Sequence, residues 1–280
     1  MVGRVYGFNG VSPSAGKPGR KRYAMVIDLR RCTGCNACTS SCKSAYDTPL
    51  GSWRISVMEA EVGKYPNTKH HSLPKLCNQC DQPSCIRNCP TKATFKHPDG
   101  PVLQRYNRCI GCRTCIVACP YNARHFLPEH RRDHNNPRNV VDKCDFCIVR
   151  VSRGLAPICV SSCTGGAMVF GDMNDPDSEV ARVYRDNKTF VLRPEQGNAP
   201  QVFYIGLSEQ IADPEFPFHH SSNQHRERYN TFKLNSEVGG EMAGNIIDTD
   251  MGPVGLVRHF VRNWYTFVKD IPHKIFRGMY

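Results

Sequence analysis

Cysteine dominates the chemistry open to this chain. The 280 residues carry 16 cysteines, and none of them stands alone. In "RCIGCRTCIVACPYNA" four thiols, Cys109, Cys112, Cys115 and Cys119, fall within eleven residues. Cys32, Cys35, Cys38 and Cys42 have the same C-x2-C-x2-C-x3-C spacing. Cys77, Cys80, Cys85 and Cys89 read C-x2-C-x4-C-x3-C, and Cys144, Cys147, Cys159 and Cys163 read C-x2-C-x11-C-x3-C. These four quartets use every cysteine.

Three chemistries crowd thiols in this way. A disulfide framework suits short secreted chains with dispersed cysteines, not a chain of this length. A tetrahedral zinc site takes two C-x2-C pairs across a longer loop, and the fourth quartet by itself has that form. The first and third quartets do not, because three thiols at x2 spacing wrap one compact object. That object is an iron–sulfur cube, whose fourth cysteine, three residues on, typically serves the other cluster of a pair. Gly34 and Gly111, in C-x-G-C positions, fit a loop that packs closely against a cluster. The reading is therefore four [4Fe–4S] clusters with all sixteen cysteines as iron ligands.

Repetition extends beyond the thiols. "NRCIGC" echoes "RRCTGC", and Ala93, Ala123 and Ala167 each follow a fourth cysteine by four residues, with Phe95, Phe126 and Phe170 soon after. Such repeats argue for duplicated units. Pro90 and Pro120 follow the second and third quartets, whereas Lys43 and Thr164 follow the first and fourth. Together with the short interval between them, this pairs the second quartet with the third and nests that unit within a first–fourth pair. The expected sets are Cys32, Cys35 and Cys38 with Cys163; Cys77, Cys80 and Cys85 with Cys119; Cys109, Cys112 and Cys115 with Cys89; and Cys144, Cys147 and Cys159 with Cys42. The expected fold is α+β: two nested two-cluster ferredoxin-like units with long loop insertions and a C-terminal extension.

The elements around the quartets follow from local pattern. Residues 1–22 read as an N-terminal arm, and "YAMVIDL" (23–29) as a strand leading into the first quartet. The duplicated four-cluster domain spans 23–170, and 171–210 hold a strand pair, "TFVLR" and "QVFYIG", packing on the core. Residues 211–250 read as an extended polar loop. A helix is expected over 254–271, with Val257, Phe260, Val261, Trp264, Phe267, Val268 and Ile271 in one apolar stripe. This tail, 211–280, is expected to dock onto a partner.

The formal charge of +12 at first suggests nucleic acid. Four clusters with their thiolates carry about −8, which leaves about +4 and removes that argument. No run approaches the roughly 18 apolar residues of a membrane span. Lys17, Arg20, Lys21 and Arg22 have no apolar stretch behind them, so no export signal is visible. A folded subunit can still be exported with a partner that carries one.

With this layout, the chain resembles the four-cluster iron–sulfur subunit of the dimethyl-sulfoxide-reductase superfamily. The residues that carry the resemblance are "RCTGCNACTSSC", "LCNQCDQPSCIRNCPTKATF", "RCIGCRTCIVACPYNARHF" and "KCDFCIVRVSRGLAPICVSSC", across roughly 23–206. "LPKLCNQCDQPSC" and "PQVFYIGL" are most similar to the subunits of polysulfide, tetrathionate and thiosulfate reductases. The resemblance implies a large catalytic partner holding molybdopterin with molybdenum or tungsten, and an integral membrane partner that exchanges electrons with quinone. It implies an electron-transfer role in anaerobic respiration, with a sulfur compound as the terminal substrate and no active site on this chain. It places the complex peripherally on the cell membrane, the periplasmic face favoured over the cytoplasmic. Some members replace one cysteine and hold a three-iron cluster; here all sixteen positions are cysteine.

Other candidate groups are weaker. "TGGA" (164–167) reads as a loop beside a cluster ligand rather than a phosphate cradle, and His70–His71 and His219–His220 as solvated surface residues. Ile110, Ile116 and Val117 are apolar neighbours that would disfavour added charge, whereas Arg31, Arg108 and Lys143 would favour it if they lie close, simple surface charge being the leading reading of these three basic residues. The rival reading is a stand-alone soluble polyferredoxin, and beyond that a basic zinc protein binding nucleic acid.

Overall fold

The computed structural model describes residues 19–49, 51–128, 138–207 and 219–220. The N-terminal arm as far as residue 18 and the expected helix over 254–271 lie outside the described residues.

Strand β1 (Tyr23–Asp28) is the axis of the fold. Its residues Ala24 to Ile27 are all buried, so it reads as an uninterrupted apolar run rather than an alternating one. It lies in a four-stranded sheet of order β8-β1-β10-β9, antiparallel to β8 (Met168–Asp172) and parallel to β10 (Val202–Ile205), which pairs in turn with β9 (Thr189–Phe190). The expected pair of strands after residue 171 thus continues the sheet begun before the first quartet. One face of the sheet, with Ala24, Val26, Phe203 and Ile205, meets Val180 of an eight-residue helix, Glu179–Asp186, that the sequence patterns had not suggested. Its signals are local: Ser178 caps it by accepting from the Ala181 N–H at 3.3 Å, and Glu179 stands in its first turn. The other face, with Met25, Ile27, Val202 and Tyr204, packs on Cys38, Cys42, Cys77, Cys144 and Cys159.

Three hairpins lie between the quartets. β2 (Ile55–Val62) and β3 (Lys69–Leu76) form a hairpin that runs directly into Cys77. The pair His219–His220 forms β11 against β2, a correction to the reading of 211–250 as loop throughout. Short hairpins separate the remaining quartets: β4 (Thr94–Lys96) with β5 (Val102–Gln104), and β6 (Arg124–Leu127) with β7 (Val140–Lys143).

The β6–β7 hairpin is tied to β2's start by a buried charge network. Arg54 donates from Nε to Asp142 Oδ2 at 2.8 Å and from Nη2 to Asp142 Oδ1 at 2.9 Å. Tyr106 Oη donates to the same carboxylate at 2.6 Å, and His125 Nε2 lies 3.2 Å from it. The Arg54 guanidinium also stands 4.0 Å from the Tyr46 ring centroid and 3.3 Å from Asp145. Burial alone would raise the Asp142 pKa, but Arg54 and His125 hold it well below the usual carboxylate range. Removing one partner from a buried pair strands the other charge, at a cost of about 3–5 kcal/mol. Arg54→Leu is accordingly expected to destabilise the fold by about that amount in chemical denaturation, with Asp142→Asn a milder change because Asp145 still answers Arg54 and the amide oxygen can still accept from it.

Candidate functional site

Each quartet opens on the same backbone device. The third residue of every C-x-x-C, Gly34, Gln79, Gly111 and Phe146, has φ of 71°, 48°, 68° and 55°. The left-handed turn curls each loop on itself. Glycine takes it without strain at two of the four positions. The others are held by their side chains. Gln79 donates from Nε2 to the Cys144 carbonyl at 2.7 Å and accepts the Val102 N–H at 2.8 Å; Phe146 is buried edge-on against Phe170 at 5.2 Å. The repetition returns after the fourth cysteine, where Lys92, Asn122 and Gly166 again have positive φ, each three residues on.

Short helices present the remaining thiols. Helix α1 (Ala37–Tyr46) carries Cys38 and Cys42 one turn apart. α2 (Ser84–Arg87), α3 (Thr114–Val117) and α5 (Ile158–Ser161) carry Cys85, Cys115 and Cys159, and Cys89, Cys119 and Cys163 each follow four residues later. α4 (Ile148–Val151) fills the longer gap of the fourth quartet. α1 packs on α5 and α2 on α3. Ser41 and Ser162 meet at 2.7 Å across the first pair, and Ser84 Oγ donates to the Ala118 carbonyl at 2.7 Å across the second.

These elements gather the thiols across the chain. Burial raises the Cys32 thiol, the Gly34 N–H works the other way, and the nearby Cys163 and Cys35 sulfurs add to the rise. Burial pushes Cys38 up to about 11, with Cys32 and Cys163 again as its charged neighbours. Cys35 is lowered, chiefly by Thr164, whose hydroxyl is 3.5 Å from its sulfur. Cys80, raised by burial, has Cys77, Cys85 and Cys119 beside it. Cys115, also raised by burial, has Cys85, Cys109 and Cys89. Burial raises Cys144 well above the ordinary range, and Cys42, Cys147 and Cys159 are among its neighbours. Cys42 itself is pushed up to about 12 by burial, against the opposing pull of Arg54.

Two of these gatherings line cavities. One, of about 290 Å³, has Cys42, Cys144, Cys147 and Cys159 in its wall, with Tyr46, Arg54 and Phe146. The other, of about 280 Å³, has Cys89, Cys109, Cys112 and Cys115, with Thr94, Arg113 and Val141. None of the sixteen cysteines is in a disulfide. Among the described residues, no three His, Cys, Asp or Glu side chains converge closely enough for one ion. Four thiols in one wall, with no three side chains placed for a single ion, fit a polynuclear group, and soft thiolate donors select iron–sulfur clusters among such groups.

The surroundings of the thiols correct several expectations. Of the three flanking cations, only Lys143 is buried, at 1% exposure; Arg31 and Arg108 face outward. Ile116 packs among Cys85, Cys115 and Cys109, but Ile110 and Val117 are 67% and 87% exposed and cannot dry the site by themselves. The sequence patterns had not pointed to Arg54, Arg124 or Lys96, all of which stand beside cysteines. Their only sequence signal was a basic residue inside a strand or at its edge. "TGGA" serves packing: a Cβ on Gly165 would lie 2.5 Å from the Arg31 carbonyl, and one on Gly166 2.7 Å from its guanidinium. His70 and His71 lie on β3, with His70 exposed and His71 partly so.

A family model described as a 4Fe-4S dicluster domain matches residues 68–173. The B subunit of tetrathionate reductase from Salmonella typhimurium is 44% identical over 199 residues, 70% of this chain and 76% of that protein. The corresponding B subunit of selenate reductase from Mesobacillus selenatarsenatis is 38% identical, over 66% of this chain and 72% of its own. The arsenate respiratory reductase iron–sulfur subunit ArrB of a Shewanella species is 34% identical, over 66% of this chain and 96% of its own.

Two glycines separate backbone strain from crowding. At Gly111 a Cβ would lie 2.1 Å from the Asn139 carbonyl oxygen, whereas Gly154, also left-handed, has nothing within 4 Å. Gly154→Ala is expected to cost only the strain of its conformation, about 1–3 kcal/mol. Gly111→Ala adds a backbone clash and is expected to cost more, as the paired denaturation midpoints will show.

Proposed function

The chain belongs to the 4Fe-4S dicluster iron–sulfur B subunits of dimethyl-sulfoxide-reductase-family complexes, and on that premise we propose how it carries electrons. Four [4Fe–4S] clusters are held crosswise. Site I takes Cys32, Cys35, Cys38 and Cys163; site II takes Cys77, Cys80, Cys85 and Cys119; site III takes Cys109, Cys112, Cys115 and Cys89; site IV takes Cys144, Cys147, Cys159 and Cys42. The outer unit (I and IV) encloses the inner unit (II and III) in the chain order. The observation that carries this reading is the thiol neighbourhoods, in which each quartet's fourth cysteine stands among cysteines of another quartet.

The clusters, when bound, supply one-electron chemistry; this chain fixes their order, surroundings and access. Sites I and IV share helix α1, through Cys38 and Cys42. Sites IV and II meet at Gln79, from the second quartet's loop, on the carbonyl of Cys144. Sites II and III share the α2–α3 contact, where Cys115 feels Cys85. The electron route is therefore I–IV–II–III, in either direction. The terminal sites are also the ones with an exposed cysteine, Cys35 and Cys112. Access at both ends suits a conductor between two partners better than a diffusing polyferredoxin.

The partners we assign are a large molybdopterin catalytic subunit, acting on a sulfur compound, and an integral membrane subunit that exchanges electrons with quinone. The site III end, where Cys112 is rimmed by the exposed Ile110 and Val117, is the one assigned to the membrane partner. Residues 211–280 add a docking tail. Among the described residues no helix is long and apolar enough to cross a membrane, so attachment to one is assigned to the partner.

Metal analysis of the isolated chain is expected to give about 16 iron and 16 acid-labile sulfide. In Cys163→Ser, electron paramagnetic resonance should show the perturbation at the cluster of Cys32, Cys35 and Cys38; a change confined to that of Cys144, Cys147 and Cys159 would defeat the crosswise scheme. Val117→Glu is expected to leave all four clusters in place and weaken co-purification with the membrane partner, because it buries a charge in a contact built for an apolar side chain.

A further inference from the structure

The β6–β7 hairpin contains an electrostatic arrangement that the protein alone does not balance. Arg124 and Lys143 are cross-strand partners in its antiparallel register. Residues directly opposite in such a pair project from the same face, with Cβ atoms roughly 4.5–5.5 Å apart, and like charges there repel. Both are buried, Arg124 at 5% and Lys143 at 1% exposure. Neither has a carboxylate partner among the described residues. Lys143 Nζ donates to the carbonyls of Val102 and Cys144, the latter at 2.7 Å. Arg124 Nη1 reaches the Gln104 side-chain oxygen Oε1 at 3.4 Å, and its Nη2 has no hydrogen-bond partner. The contrast with Arg54 is direct, because Arg54 is answered by Asp142 and Asp145.

Two buried, opposed and unanswered cations are not tolerated in a core unless negative charge stands nearby. The register says where it is. Phe126 and Val141, two residues along each strand, lie on the same face and pack with Cys85, Cys109 and Cys115. The groups that act most strongly on the Arg124 guanidinium are the sulfurs of Cys85, Cys115 and Cys77. The first and last belong to site II and the second to site III, so one guanidinium stands between the two inner thiol sets.

We propose that Arg124 is the shared counter-charge of the inner pair, setting the reduction potentials of sites II and III together. The inference rests on the cluster reading given above. Reduction adds one negative charge to a cluster. A fixed cation in a low-dielectric interior favours that added charge and raises the potential. Because the guanidinium acts on sulfurs of both thiol sets, it lifts two neighbouring steps of the route by one device. Lys143 adds positive charge on the same face and raises the need for the thiolates.

The test is potentiometry on the full chain, with each reduced cluster followed by electron paramagnetic resonance in wild type, Arg124→Gln and Arg124→Lys. Iron and sulfide are measured on the same samples. The expected result is that Arg124→Gln keeps about 16 iron while two of the four potentials fall, and that Arg124→Lys returns most of the shift. Sites I and IV are expected to stay in place. Four unmoved potentials in an iron-replete Arg124→Gln would overturn the proposal. Should Arg124→Gln fail to hold its clusters, Arg124→Lys decides: full iron in the lysine variant supports a role for charge, and equal loss in both variants means that shape alone matters and overturns it. A wild-type chain lacking the iron would instead overturn the cluster reading itself, which the same metal analysis distinguishes.

Discussion

Sixteen thiols gathered in one small chain, nine of them buried, are the constraint on which this structure depends. Cysteine is at home in a core as a neutral thiol, and burial pushes most of these thiols toward that form. A metal ligand must be the thiolate, so the fold has to place buried negative charge where its own burial resists it. The response is visible in the cations drawn inward. Lys96 donates to the Cys80 carbonyl at 2.5 Å while paired to Asp81, Arg54 acts on Cys42, and Arg124 stands among Cys77, Cys85 and Cys115. Arg54, Arg124 and Lys143 are buried, so a few of the basic residues face inward rather than toward an outside partner.

The same constraint explains the repetition of backbone form. To aim several thiols at one point, a loop must curl tightly, and each quartet does so with a left-handed residue at one fixed place. Where that residue is glycine, the chain needs no further support. Where it is Gln79 or Phe146, the side chain is itself a structural member. Gln79 ties the second quartet's loop to the first cysteine of the fourth, and Phe146 closes the core beneath Phe170. Gln79 thus joins the second quartet's loop to the fourth, and the glycine solutions permit close approach, as at Gly111 against Asn139.

Segments remote in sequence serve as clamps. Residues 198–201 run along the second quartet: Asp81 N–H donates to the Ala199 carbonyl at 2.8 Å, Gln201 N–H to the Asn78 carbonyl at 2.8 Å, and Gln201 Nε2 to Asp81 at 2.9 Å. Tyr204 Oη reaches the Pro74 carbonyl at 3.0 Å. The two stretches that carried the closer resemblance, "LPKLCNQCDQPSC" and "PQVFYIGL", are therefore in contact. Their shared specificity is physical: one is the outer wall of the other's loop.

The sequence by itself determined the chemistry. Ligand type and spacing are local properties, set by covalent distance along a few residues, so the quartets and strand β1 were legible without a fold. Gly34 and Gly111 were legible as sites of close packing, whereas the left-handed turn they share with Gln79 and Phe146 is a finding of the structure. What only the tertiary structure decided depends on which residues meet across the chain. Ile110 and Val117 read as insulation and are exposed; Arg31 and Arg108 sit next to cysteines in sequence and point outward; Arg54 and Arg124, remote in sequence, are the cations that reach the thiols. Charge acts through space rather than along the chain, and a hairpin register such as Arg124 opposite Lys143 follows from strand pairing, which spacing does not encode.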